Sequence, residues 1–114
     1  MIRTVRLGAG RSRRNKFNAV KTVVDGITFD SKKEAKRYGE LKMLGVKGLR
    51  VHGRWELEIK DVKLGVYESD FEYTDENGLL VVEDVKGGNA TKTAVYRIKR
   101  KLMKVIYNID VREI

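Results

Sequence analysis

The spacing of apolar residues along this chain predicts a mixed α/β fold of the α+β kind: a helix, three strands, a helix and a strand, forming one mixed sheet with flanking helices and an N-terminal β-hairpin. Three observations predict it. Apolar residues recur at helical spacing in two separate stretches, around 31–44 and 91–107. Between these stretches they recur near a period of two, as in half-covered strands. A length of 114 residues suits one core better than two. The expected division is a basic flexible arm over residues 1–20 and a single domain over 21–114.

Lys21 to Asp30 reads as the hairpin: Val23 and Val24 lead into Asp25-Gly26, a pair that tolerates the positive φ of a type I′ turn, and Ile27 and Phe29 then alternate. Ser31 with Glu34 three residues on is a capping-box pattern. Ala35, Tyr38, Leu41 and Leu44 continue that helix to a stop at Gly45. Gly45 to Arg54, with three glycines, reads as a connector. Trp55, Leu57, Ile59 and Val62 mark the first long strand, ended by a turn at Leu64-Gly65, and Trp55 is expected to anchor the core. Val66 to Thr74 and Leu79 to Lys86 form the next two strands, a hairpin across Asp75-Glu76-Asn77-Gly78, and Gly87, Gly88 and Asn89 break off the second. The second helix is expected over about Thr91 to Tyr107, with Val95, Ile98, Leu102, Val105 and Ile106 on its apolar face and Arg97, Arg100 and Lys104 on the other. Ile109 and Val111 close the chain as a short strand.

Charge narrows the function. The formal net charge of +9 suggests a polyanionic partner, because clustered Lys and Arg gain affinity by displacing counterions from phosphates. No stretch is long and apolar enough to span a bilayer, and no basic amphipathic end or lipidation signal points to a membrane surface, which leaves nucleic acid. The absence of cysteine excludes disulfides, thiolate metal sites and a cysteine nucleophile; with no apolar leader at the N-terminus, it points to the cytoplasm. The basic residues are also clustered. Met1 to Val24 holds no acid and carries Arg3, Arg6, Arg11, Arg13, Arg14, Lys16 and Lys21. Its first part shows neither helical nor strand periodicity. It is either a solvated tail or an arm, mobile until phosphate or a partner subunit orders it, in which Arg11, Arg13 and Arg14 are the candidate DNA contacts. Val85 to Ile109 is a second acid-free stretch, whose Arg97, Arg100 and Lys104 form either a phosphate track or a soluble outer face; Lys99, with Tyr96, lies on the helix flank and either reaches a phosphate or packs at the boundary.

The acids between these stretches carry the chemistry. Along Leu79 to Lys86 side chains alternate between faces, so Asp84 and Lys86 point one way and Glu83 and Val85 the other. Asp70 lies on the preceding strand, which the short turn makes a neighbour. Two carboxylates in close approach repel unless a cation lies between them, and their hard oxygens suit Mg²⁺, which takes one or two carboxylates together with a substrate phosphate. Lys86 would orient a water or stabilise charge on the phosphorus. The alternative is an exposed Asp84/Lys86 strand pair with Asp70 as a hairpin-end acid. Glu34 likewise has two readings: the reciprocal half of the Ser31 cap, or a carboxylate on the apolar stripe of its helix that a metal or Lys86 would satisfy.

This order of residues, with Glu34 on the first helix, Asp70 on a middle strand, Asp84-Val85-Lys86 on the next strand and a basic helix after it, resembles the PD-(D/E)xK superfamily and its restriction-endonuclease-like core. More narrowly, Val24-Asp25-Gly26-Ile27, Phe29-Asp30-Ser31-Lys32-Lys33-Glu34-Ala35, Ser69-Asp70-Phe71 and Val82-Glu83-Asp84-Val85-Lys86-Gly87 resemble small phage-borne proteins of that superfamily, over about Lys21 to Ile114. The resemblance implies a nuclease in which Asp70, Asp84 and Lys86 are the metal-ligand and catalytic residues, Glu34 adds a carboxylate, and Mg²⁺, or Mn²⁺ in its place, is the cofactor. Ser69 stands where the eponymous proline would be. Compact members include Holliday junction resolvases, so the resemblance further implies a homodimer that nicks four-way DNA junctions in the cytoplasm of a host cell. Cleavage of linear or single-stranded DNA, and a non-catalytic basic DNA-binding protein, are the competing expectations.

Overall fold

The computed structural model describes residues 2–4, 20–88 and 91–114, of which 2–4 as backbone only. It is a mixed α+β fold with two helices, a mixed sheet and an N-terminal hairpin, arranged as two compact units, 1–44 and 45–114. Among the described residues no helix is long and apolar enough to cross a membrane.

In the first unit, β1 (Ile2–Thr4), β2 (Thr22–Val24) and β3 (Ile27–Phe29) form an antiparallel sheet in that order. The β2–β3 turn is the expected one, with Asp25 and Gly26 at φ 52° and 77°, a conformation that glycine adopts without steric cost. The strand β1 departs from the expectation: no periodicity marks the first part of the arm, yet residues 2–4 add to the hairpin as a third strand. The candidate contacts Arg11, Arg13 and Arg14 lie outside the described residues. Helix α1 (Lys32–Leu44) starts at the Ser31 cap, whose Oγ accepts from the Glu34 N–H at 3.1 Å and donates to the Glu34 carboxylate at 3.3 Å. It packs on β2 and β3 through Ala35, Tyr38 and Leu41, with the Tyr38 ring 5.2 Å from that of Phe29 and its hydroxyl on Asp25.

The second unit contains five strands before its helix, where three were expected. The supposed connector holds β4 (Lys47–Val51), an edge strand paired antiparallel with the strand over Phe71–Thr74 across a register shift. Its half-exposed, glycine-interrupted sequence lacks the alternation by which a strand is recognised. The hairpin β5 (Arg54–Ile59) and β6 (Val62–Glu68) turns at Lys60-Asp61, both with positive φ, and not at Leu64-Gly65; Gly65 sits at the register shift opposite Leu57. The stretch 66–74 is thus two strands. β6 ends at Glu68, and β7 (Phe71–Thr74) pairs with β8 (Leu80–Asp84) across the expected Asn77-Gly78 turn. β9 (Arg112–Glu113) adds in parallel on the far side of β8, giving the order β4-β7-β8-β9 and leaving β8 internal, as its apolar sequence required.

Helix α2 (Ala94–Tyr107) is capped by Thr93, whose side chain accepts from the Tyr96 N–H, and ends at Asn108 in the left-handed region. It packs on β5 and β6 with only part of the expected face, Leu102 and Ile106. Tyr96 and Met103 are buried, while Val95, Ile98 and Val105 are exposed. The core is Leu57, Tyr67, Val82, Tyr96, Met103 and Val111, with Trp55, Leu102, Ile106 and Ile109 against it. Each such apolar side chain contributes about 1.5–3 kcal/mol when fully buried. Trp55 is therefore a boundary residue and not the anchor: its ring stacks edge-on with Tyr107, and its indole N–H donates to Glu72 at 2.6 Å.

Candidate active site

The break between β6 and β7 is what positions Asp70. Its N–H donates to the Glu83 carbonyl at 3.0 Å, its carbonyl accepts from the His52 N–H at 3.1 Å, and the preceding Ser69 N–H donates to Gly53. Held at both ends, Asp70 turns its carboxylate to β8, where Oδ2 accepts from the Val85 N–H at 2.7 Å. That amide lies between Asp84 and Lys86, so the two acids and the amine converge on one end of the internal strand.

Asp84 is 6% exposed and uses both carboxylate oxygens: Oδ1 is 2.8 Å from the Lys86 ammonium and Oδ2 accepts from the Tyr67 hydroxyl at 2.7 Å. A buried carboxylate without such partners would cost several kcal/mol (roughly 3–5 for breaking a buried pair). The Lys86 ammonium also rests on the Tyr96 ring, 3.5 Å from its centroid, in a cation–π contact. The backbone is pinned as well, since Ile114 donates to the Asp84 carbonyl and accepts from the Lys86 N–H, both at 3.0 Å. The strand was expected to run through Lys86; it ends at Asp84, and the lysine occupies the first residues beyond it.

Two tyrosines wall the site. Burial, then the charge and hydrogen bond of Asp84, then the charges of Tyr96 and Asp70 push the Tyr67 hydroxyl far above its ordinary range, so it is a fixed donor to Asp84. Burial, the hydrogen bond to Glu113 and the charges of Asp84 and Glu113 raise Tyr96 as well, against a small opposing effect of Arg100. Its hydroxyl donates to Glu113 Oε2 at 2.9 Å.

Of the residues read from the sequence, Asp70, Asp84 and Lys86 are brought together. Glu34 belongs to the first unit, where it is 7% exposed and shares the Ser31 cap. Arg97, Arg100 and Lys104 line a cavity along α2; Lys99 does not, being half-buried and directed at Gly65 on β6. Tyr67 and Glu113 were missed. Tyr67 can be connected with Asp84 only once β6 is known to leave the sheet, whereas Glu113 follows from the parallel β8–β9 register, which sets it opposite Asp84.

Among the described residues no three acids or histidines gather at metal-ligand spacing. The donor set is two carboxylates, whose hard oxygens suit Mg²⁺: that ion keeps several waters and is commonly held by one or two carboxylates and a phosphate.

The profile of a family described as a protein of unknown function (DUF1064) matches residues 14–113. The chain belongs to the DUF1064 family. The match takes in Asp70, Asp84, Lys86 and Glu113 of the second unit, and Glu34 of the first as well. No curated protein and no solved structure matches the chain.

Proposed function

We propose that this DUF1064 protein is a Mg²⁺-dependent endonuclease that hydrolyses phosphodiester bonds in branched DNA, with four-way junctions as its preferred substrate and a homodimer as its working form. One observation carries the reading: the Asp70 carboxylate is held on the amide between Asp84 and Lys86, so that two acids and an ammonium share one covered strand end. A solvated surface pair would not explain why Asp84 is buried with two partners.

In this reading Asp70 and Asp84 bind the ion, and Mn²⁺ substitutes for it. Mg²⁺ supplies Lewis acidity toward a phosphate oxygen and a water. The remaining work falls to the chain. Lys86 would place a positive charge where negative charge builds on the phosphate, or orient a water. Tyr96 holds the ammonium, Tyr67 fixes the Asp84 carboxylate, and the Val85 N–H fixes that of Asp70. Glu34 is proposed as a further contributor to turnover on the resemblance alone. The net charge of +9 supports a phosphate-rich substrate. The preference for junctions and the homodimer rest on likeness to resolvases.

The test is incubation of purified protein with a four-way junction, a matched duplex and a single strand, in Mg²⁺ or EDTA. Paired nicks in the junction, dependent on Mg²⁺, are expected. Cleavage of the linear or single-stranded substrate instead would keep the nuclease and replace its substrate, whereas binding without cleavage of any would leave a basic DNA-binding protein.

A further inference from the structure

Along the outer side of α2 runs an open cavity of about 590 Å³ whose cations are Lys92, Arg97, Arg100, Lys101 and Lys104. Against these five positive charges stand two carboxylates, Asp110 and Glu113, for a formal balance of +3. The two acids differ in setting. Asp110 is an exposed partner of Lys104, whereas Glu113 gathers three groups: Lys92 at 3.2 Å from Oε1, Arg100 at 3.5 Å from Oε2, and the Tyr96 hydroxyl. A carboxylate between an arginine and a lysine presents two oxygens much as a phosphodiester presents its two non-bridging oxygens, and Arg recognises both groups in the same manner. Glu113 also borders the candidate active site. It is the register partner of Asp84, so the two side chains share a face about 4.8 Å apart in strand spacing, and Tyr96 touches Glu113 with its hydroxyl and Lys86 with its ring.

We propose that Glu113 holds the place of a DNA backbone phosphate in the α2 groove, and that DNA binds there by taking Lys92 and Arg100 from it. The choice of DNA as the occupant rests on the nuclease reading; the exchange itself rests on the three contacts of Glu113. Burial pushes its carboxyl up, but the hydrogen bonds from Tyr96 and Lys92 and the charges of Arg100 and Lys92 outweigh this and hold it below the usual carboxylate range, so it is charged at neutral pH. The phosphates met by Lys92 and Arg100 release their counterions as usual, and what the carboxylate adds is the cost of giving up its two cations.

The experiment is fluorescence anisotropy of the full chain with labelled duplex and four-way DNA in EDTA, over a range of salt concentrations. Glu113→Gln keeps an acceptor for Tyr96 and removes the charge. It is expected to tighten binding about three- to tenfold with the slope of log K against log salt little changed, because Lys92 and Arg100 meet phosphates in both complexes. The gain should vanish when Lys92 and Arg100 are also changed to Gln. Glu76→Gln, which removes the same charge from the exposed β7–β8 turn, should give little of it. An unchanged or weakened Glu113→Gln, an equal gain from Glu76→Gln, or no binding by any variant would overturn the exchange. Because binding is read without metal, the nuclease reading fails separately: a gain with no cleavage in Mg²⁺ supports the exchange and removes only the enzyme, while cleavage with no gain removes only the exchange.

Discussion

Asp84 is satisfied on one side by a charge and on the other by a neutral hydroxyl, and these two partners have different consequences when removed. Asp84→Ala removes the acid itself and is expected to lower junction cleavage by at least about 100-fold, with junction binding kept or tightened; cleavage at the wild-type rate would take this acid out of the mechanism. Tyr67→Phe leaves Asp84 in place but unfixed, so it should cost less, about tenfold in rate and about 1 kcal/mol in stability, measured by single-turnover cleavage beside urea denaturation. A loss equal to that of Asp84→Ala would give Tyr67 a larger part than positioning. Glu34→Gln can keep the contact with the Ser31 hydroxyl, so the fold should lose about 1 kcal/mol or less, while turnover is lost. Wild-type turnover in that variant would leave Glu34 as a cap alone.

Two local arrangements can be tested in the same way. A Cβ on Gly53 would lie 1.8 Å from Glu72 Oε2, and that carboxylate cannot yield, being 2% exposed and bound by Trp55 and Ser69. Gly53→Ala should therefore destabilise by about 1–3 kcal/mol in urea denaturation, and the penalty should shrink when Glu72 is also Ala; an undiminished penalty would place the strain elsewhere. Helix α2 offers a contrast between faces: Met103→Ala should cost about 2–5 kcal/mol, and Val105→Ala, at a side chain 72% exposed, less than about 0.5 kcal/mol. The reverse order would restore the face expected from apolar periodicity. Of the expected face Leu102 and Ile106 do pack against the core, while Val95, Ile98 and Val105 stay exposed, because the buried stripe takes in Tyr96, Lys99 and Met103 instead. What could be read from the sequence was local: the Asp25-Gly26 and Asn77-Gly78 turns, the Ser31 cap, both helices and the internal strand all have nearest-neighbour chemistry that names them. The edge strand β4 and the division of 66–74 depend on partners distant in sequence, and the Lys60-Asp61 turn, though local, has no glycine or proline to mark it. For the same reason Asp70, Asp84 and Lys86 could be grouped from one hairpin, while Tyr67 and Glu113, which arrive from β6 and β9, could not.

For the molecule as a whole, two charge systems lie side by side: the buried Asp84 paired with Lys86 beside the half-buried Asp70, and an exposed row of cations on α2. Only the second should respond strongly to salt, since exposed charges are screened within about 8–10 Å and a buried pair much less. The most direct measurement of the catalytic proposal is cleavage of a four-way junction by the wild-type chain and by Asp84→Ala, each in Mg²⁺ and in EDTA at low salt. Nicks that appear only with the wild-type chain and only in Mg²⁺ are expected; cleavage by Asp84→Ala, cleavage in EDTA, or intact DNA in all four reactions would contradict a metal-dependent site built on Asp70, Asp84 and Lys86.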